Sequence, residues 1–119
     1  MGFEEFCGNS ITISGKEMIY KYHIYSVKIG YDRIFVVLST AGKDIGTKDN
    51  LNNVYCYDNE GNLMWQIQQE ENVKYKRFPI QCVEYDNKGK RLVAFDDYNR
   101  KFEIDENTGK ILKLISIGW

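Results

Sequence analysis

A strand, a polar turn closed by glycine and a second strand occur twice in this chain. The first copy is Asn53-Val54-Tyr55-Cys56-Tyr57-Asp58-Asn59-Glu60-Gly61-Asn62-Leu63-Met64-Trp65-Gln66-Ile67. The second is Lys101-Phe102-Glu103-Ile104-Asp105-Glu106-Asn107-Thr108-Gly109-Lys110-Ile111-Leu112-Lys113-Leu114-Ile115. A repeat of this size is one supersecondary unit that buries its apolar face by stacking on a neighbour. Two further strand signals precede each copy: Ile19 to Ile29 and Arg33 to Thr40 before the first, Phe78 to Tyr85 and Arg91 to Phe95 before the second. The chain therefore reads as all-β: two four-stranded antiparallel meanders in one domain over residues 1–119, unit 1 over about 19–68 and unit 2 over about 78–117.

Spacing supports the duplication. Gly61 and Gly109 lie 48 residues apart, whereas Ile34 and Leu92 lie 58 apart. The ten-residue difference falls in one place, the polar stretch Ala41 to Asn52. Loops accept insertions that strands do not. The run Ile34-Phe35-Val36-Val37-Leu38 is apolar at every position, which predicts a strand covered on both faces. Ser10 to Ile13 is a further short alternating run. Composition agrees: Tyr, Phe, Ile and Val dominate and Pro79 is the single proline.

The second hairpin resembles the repeat of propellers of the pyrroloquinoline-quinone-binding type, in which a strand leads into Asp-x-x-Thr-Gly-x and a Trp follows four residues after the Gly. Asp105-Glu106-Asn107-Thr108-Gly109-Lys110 matches the first part and Gly61-Asn62-Leu63-Met64-Trp65 the second. Counted back from the glycine, Tyr57 stands in the Asp position of the first unit, and Lys113 stands in the Trp position of the second. The resemblance implies blade-like units with Trp65 in the core between them. It does not imply quinone binding, because six to eight blades close such a ring. The two units can pack face to face as a small sandwich, with Ile34, Val36, Leu63, Trp65, Leu92, Ala94 and Leu112 inside, or side by side as a partial propeller. A compact monomer with partly blade-like packing is expected. The chain is also loosely similar to small uncharacterised bacterial proteins of the immunity type.

The chemistry-bearing residues are sparse. His23 is the single histidine, and Cys7, Cys56 and Cys82 are far apart, so neither a metal-ligand cluster nor a disulfide framework emerges. A Cys82–His23 pair would need an exposed electropositive setting. Asp96-Asp97 precedes Tyr98-Asn99 as a turn would, and Glu103 and Asp105 share one strand face. No phosphate loop or nucleophile elbow is present. The formal net charge is −1, and the short basic run Lys74-Tyr75-Lys76-Arg77 follows Glu70-Glu71, so no basic stripe favours nucleic acid. No segment has the length or apolarity of a membrane span. These features predict a cytoplasmic, non-catalytic protein with no cofactor.

The tyrosines carry the functional expectation. Tyr20, Tyr22 and Ile24 would share one strand face, and Tyr55 and Tyr57 another. Tyrosine is enriched where proteins meet, because its ring buries area while its hydroxyl stays paired. The inserted loop adds Lys43, Asp44, Lys48 and Asp49, a mixed-charge rim. The expectation is a protein-binding surface built from Tyr20, Tyr22, Tyr55, Tyr57 and those four loop residues, as in a bacterial immunity-type inhibitor. The alternatives are a ligand or enzymatic site between the two sheets, lined by His23 or Cys82, and a subunit of a larger propeller assembly.

Overall fold

Five successive residues of the run Ile34 to Leu38 are buried, so this strand must sit between two apolar layers. The computed structural model supplies both. It describes residues 3–45, 47–69, 77–86 and 91–116, with side chains from residue 6 onward. The basic run as far as Lys76, Tyr75, the turn at Gly89, Gly46 and Ile117 lie outside the described residues.

An N-terminal sheet consists of β1 (Phe3–Cys7), β2 (Ser10–Ile13) and β3 (Lys16–Ile19), in that order and antiparallel. The first repeat forms a sheet ordered β4 (Ile24–Ile29), β5 (Arg33–Leu38), β6 (Val54–Asp58) and β7 (Leu63–Gln66), with the one-turn helix α1 (Lys48–Leu51) between β5 and β6. The second repeat is a sheet of β8 (Ile80–Asp86), β9 (Arg91–Asp96), β10 (Lys101–Ile104) and β11 (Ile111–Ser116). The two predicted meanders are present, and the three-stranded sheet is an addition to them. Only β2 was legible in that sheet, because β3 runs on in sequence into Tyr20. The expected single strand from Ile19 to Ile29 is in fact interrupted. Asn9 donates its side-chain amide to Tyr20 O at 2.8 Å, and Tyr20 to His23 cross from the N-terminal sheet to β4.

The repeat is kept in register as well as in strand order. Cys56 faces Trp65 and Tyr57 faces Leu63, so Met64 is a bulge; likewise Glu103 faces Lys113 and Ile104 faces Ile111, so Leu112 is a bulge. The first strands repeat this: Tyr25 bulges between the pairs Ile24–Leu38 and Ser26–Val37, and Gln81 between Ile80–Asp96 and Cys82–Phe95. Asp58, not Tyr57, is the counterpart of Asp105. Both accept turn amides through Oδ1 (Asp58 from Glu60 and Asn62 at 2.9 Å, Asp105 from Asn107 at 2.8 Å). The first hairpin turn is one residue shorter, which displaced the count from the glycine.

The three sheets stack face to back. Ile34, Val36 and Tyr57 pack with Ile11 and Ile13 of the N-terminal sheet. Phe35, Val37, Cys56 and Trp65, on the opposite face, pack with Val83, Leu92, Ala94, Phe102 and Ile104 of the last sheet. Thus Ile34 and its counterpart Leu92 both look toward the sheet that precedes them, and the seven expected core residues do not share one interior. Leu63 and Leu112 are 57% and 53% exposed. Leu63 is turned off the Trp65 face by the Met64 bulge, and Leu112 is itself a bulge residue on an edge strand.

Candidate functional site

The eleven extra residues of the first repeat form a loop whose shape is fixed by buried amides. Their number follows from the drop in spacing from 58 (Ile34 to Leu92) to 47 (Asp58 to Asp105). Asn50 is 2% exposed and donates to Thr40 O and Lys43 O, both at 2.8 Å, while Thr40 Oγ1 donates to Asn50 O at 2.7 Å. Thr47 caps α1 by accepting from Asn50 N at 3.3 Å, and its own hydroxyl donates to Asp44 O at 2.6 Å. Asp44 is held at φ 48°, a left-handed conformation that Asp tolerates better than most residues. At the base of the loop, Gln69 donates to Leu51 O at 2.6 Å and Phe78 O at 2.8 Å. Such a set leaves little backbone freedom to lose on binding.

The structure brings the loop and the tyrosines together. Tyr22 OH donates to Asp44 Oδ2, and Lys21 Nζ lies 3.2 Å from Asp44 and 3.4 Å from Asp49. The Tyr22 hydroxyl and the Lys21 ammonium hold the Asp44 carboxyl below its ordinary range, and hydrogen bonding to Asp44 raises the Tyr22 phenol. Tyr20 and Tyr57 share a hydroxyl–hydroxyl hydrogen bond of 2.6 Å, and the Tyr20 and Tyr55 rings are 5.0 Å apart. Tyr55 and Tyr57 share a face of β6, with rings 6.5 Å apart and nearly parallel. Burial raises all three phenols, and the Asp49 charge adds to the effect at Tyr55.

Burial divides the expected surface. Tyr22 and Tyr57 are buried and belong to the core between the first two sheets; Tyr20 and Tyr55 are half-buried beside them. Lys43, Asp44, Lys48 and Asp49 are exposed. Tyr22 therefore braces the loop through Asp44, and Tyr20, Tyr55 and Tyr57 pack in the same cluster as Tyr22. The tip of the loop holds Ile45, 72% exposed. Sequence reading passed over it as one apolar residue in a polar stretch, although an isolated Ile between Asp44 and Gly46 was the available signal.

The other candidates disperse. His23 is exposed, and Cys82 lies on the side of β8 that faces away from the first sheet, 3.9 Å from Glu84. Asp96 is buried and takes the turn role: it accepts from Tyr98 N at 3.0 Å and Arg100 N at 2.9 Å, and pairs with Arg100 Nε at 2.7 Å. Among the described residues, no group of His, Cys, Asp and Glu could hold a metal ion, and no helix is long and apolar enough to cross a membrane. A recess of 270 Å³ opens where the sheets of the two repeats meet, lined by Tyr25, Ser39, Thr40, Gln81 and Asp97 among others. Neither His23 nor Cys82 lines it.

A comparison with curated proteins finds no match. Residues 1–115 match a domain of unknown function, DUF7957, and the chain belongs to that family.

Proposed function

We infer that this is a non-catalytic module that binds another protein through the loop over residues 41–52 and the ground around it. The observation that carries this reading is the rigid presentation of an exposed apolar tip. Ile45 projects from a loop clamped by Asn50, Thr47 and the Tyr22–Asp44–Lys21 contacts, with Lys43, Lys48 and Asp49 exposed around it. An apolar anchor inside a charged rim is the arrangement that gives a protein contact both affinity and register. Preorganisation reduces the ordering cost of association.

The concrete version is an inhibitor of the bacterial immunity type, working in the cytoplasm by steric and electrostatic complementarity. Blade-like stacking of the sheets serves it as a rigid support for one elaborated loop. The test is recovery of a stoichiometric protein partner on the immobilised chain from its native host. Capture should fall at least about tenfold for Ile45→Asp and for Lys48→Glu, and persist for Lys113→Ala on the far face of the last sheet. Capture that is indifferent to both loop changes, or no stoichiometric partner, would overturn the reading.

A further inference from the structure

The two first-strand bulges aim at one place. Tyr25 and Gln81 are the extra residues of β4 and β8, at matching positions in the two repeats, and both line the 270 Å³ recess. Ser39 and Asp97, which follow the matched ends of β5 and β9, line it too. A bulge turns a side chain away from the alternation of its strand, and bulges gather beside binding sites. Here the duplication brings two such turned side chains to a shared opening between sheets, next to Ala41 at the start of the loop.

The charge in the recess is one-sided. Asp97 is the single charged residue among those lining it, and its carboxylate accepts from the uncharged Gln81 amide. Its neighbour Asp96, by contrast, is buried against Arg100. The Asp97 backbone donates to Pro79 O at 3.1 Å, which anchors this lining residue beside the recess. Tyr25, 58% exposed, lines the same recess. A carboxylate, a neutral amide, a hydroxyl from Ser39 and an aromatic face make up the donor and acceptor set that accommodates an organic cation. The space equals that of several water molecules.

We propose that this recess binds an alkyl guanidinium or ammonium group, with Asp97 as its counter-ion and Tyr25 as its aromatic wall. The inference deepens the reading of a partner-binding face and rests on it only for the source of the cation, an Arg or Lys side chain of the partner. The chemistry is shared by a free amine of small size.

The experiment is a titration of the full chain with blocked arginine (N-acetyl-arginine methylamide), agmatine and blocked citrulline, followed by backbone amide NMR. Saturable shifts at Tyr25, Ser39, Thr40, Gln81 and Asp97 with the two cations, and none with citrulline, are expected. Tighter binding of blocked arginine points to a polypeptide source, and tighter binding of agmatine to a free amine; either supports the recess. Asp97→Asn should weaken both about tenfold or more, with Glu103→Gln as an unaffected control. Shifts that do not saturate, that scatter over the surface or that citrulline reproduces would overturn the proposal. The wild-type comparison of charged and neutral probes decides the matter even if Asp97→Asn does not fold, and it leaves the partner-capture test of the loop untouched.

Discussion

Asn53 and Ile80 pair as two strands would, except that one of them uses a side chain. Asn53 Nδ2 donates to Ile80 O at 2.8 Å and Asn53 Oδ1 accepts from Ile80 N at 2.9 Å; the same Nδ2 also donates to Leu38 O at 2.8 Å. Asn53 is fully buried, and it ties the first repeat to the first strand of the second where their interface begins. Asn53→Leu keeps the branched outline of the side chain but strands two carbonyls and an amide in a dry interior. The expected loss is about 2–4 kcal/mol in urea unfolding. A loss below about 0.5 kcal/mol would mean that water or a shift of Ile80 replaces the amide.

Gly109 and Gly8 separate two reasons for glycine. Both have positive φ, 76° and 59°. A Cβ at Gly8 would meet nothing within 4 Å, whereas one at Gly109 would lie 2.7 Å from Trp65 Cδ2 and closer still to Cε3. Gly8→Ala should cost about 1–2 kcal/mol, the conformational term alone. Gly109→Ala should cost a further ~1–3 kcal/mol, because Trp65 is boxed in by the core and by its hydrogen bond to Glu106 O at 2.8 Å. Equal losses at the two positions would show that Trp65 can move aside.

The duplication, the covered strand β5 and the interior place of Trp65 were all legible because they rest on short-range pattern. Period-two alternation and glycine-closed turns are local properties. Which face each residue takes was less legible. The bulges at Met64 and Leu112 reverse the alternation, and nothing in Leu63-Met64-Trp65 marks Met64 as the extra residue. The N-terminal sheet was hidden for a related reason: Lys16-Glu17-Met18-Ile19 has no alternating polarity, being held as β3 by its pairing with β2. In the candidate site, Tyr22 and Asp44 were both named from sequence, but their contact depends on how the loop folds back, and that is set by Asn50, an unremarkable residue in a polar run.

The three thiols should label in a fixed order. All are free: Cys7 exposed, Cys82 half-buried and Cys56 buried. Burial pushes the Cys56 thiol up to about 12, and burial together with Glu84 raises Cys82. Since the thiolate is the reacting form, Cys7 should react first with iodoacetamide at pH 8 and Cys82 next. Cys56 should react last and far more slowly than the other two in the folded protein, because its thiol is both buried and raised. Mass spectrometry of timed samples gives the order. Labelling of Cys56 at the Cys7 rate would mean that the sheets of the two repeats separate readily.

The loop should loosen in acid before the core does. The Asp44 carboxyl is held below its ordinary value of 3.8 by Tyr22 and Lys21. Its contribution to loop order is therefore complete above that ordinary value, and is lost as pH falls through the depressed folded value. Amide exchange or NMR shifts of Lys43, Asp44 and Thr47 should change in that window, while β5 amides stay protected. Asp44→Asn should show the loosened loop at neutral pH and remove the acid step. A loop that follows the core in a single transition, in wild type and variant alike, would count against the Tyr22–Asp44–Lys21 clamp.

The outer face of the last sheet carries charges where the first repeat carries apolar side chains. On the face of the first repeat that meets the last sheet stand Phe35, Val37, Cys56 and Trp65. The matched positions in the last sheet are Val93, Phe95, Glu103 and Lys113, with Lys113 3.7 Å from Glu103, and with Lys101 and Arg91 both on Asp86 at 2.7 and 3.1 Å. Substituting Glu and Lys for Cys and Trp puts a charged pair where the first repeat presents apolar side chains to its neighbour, as the polar outer faces of capping repeats do. This also accounts for Lys113 in the Trp position of the second unit: Trp65 is buried by the sheet packed against it. Restoring the apolar pair with Glu103→Cys and Lys113→Trp should leave the fold intact but place an apolar pair beside half-buried Phe95 on the outer face. Light scattering should then report concentration-dependent association beyond that of the wild type. A double variant that stays monomeric at high concentration would show that Asp86, Arg91 and Lys101 close the stack without help from the Glu103–Lys113 pair.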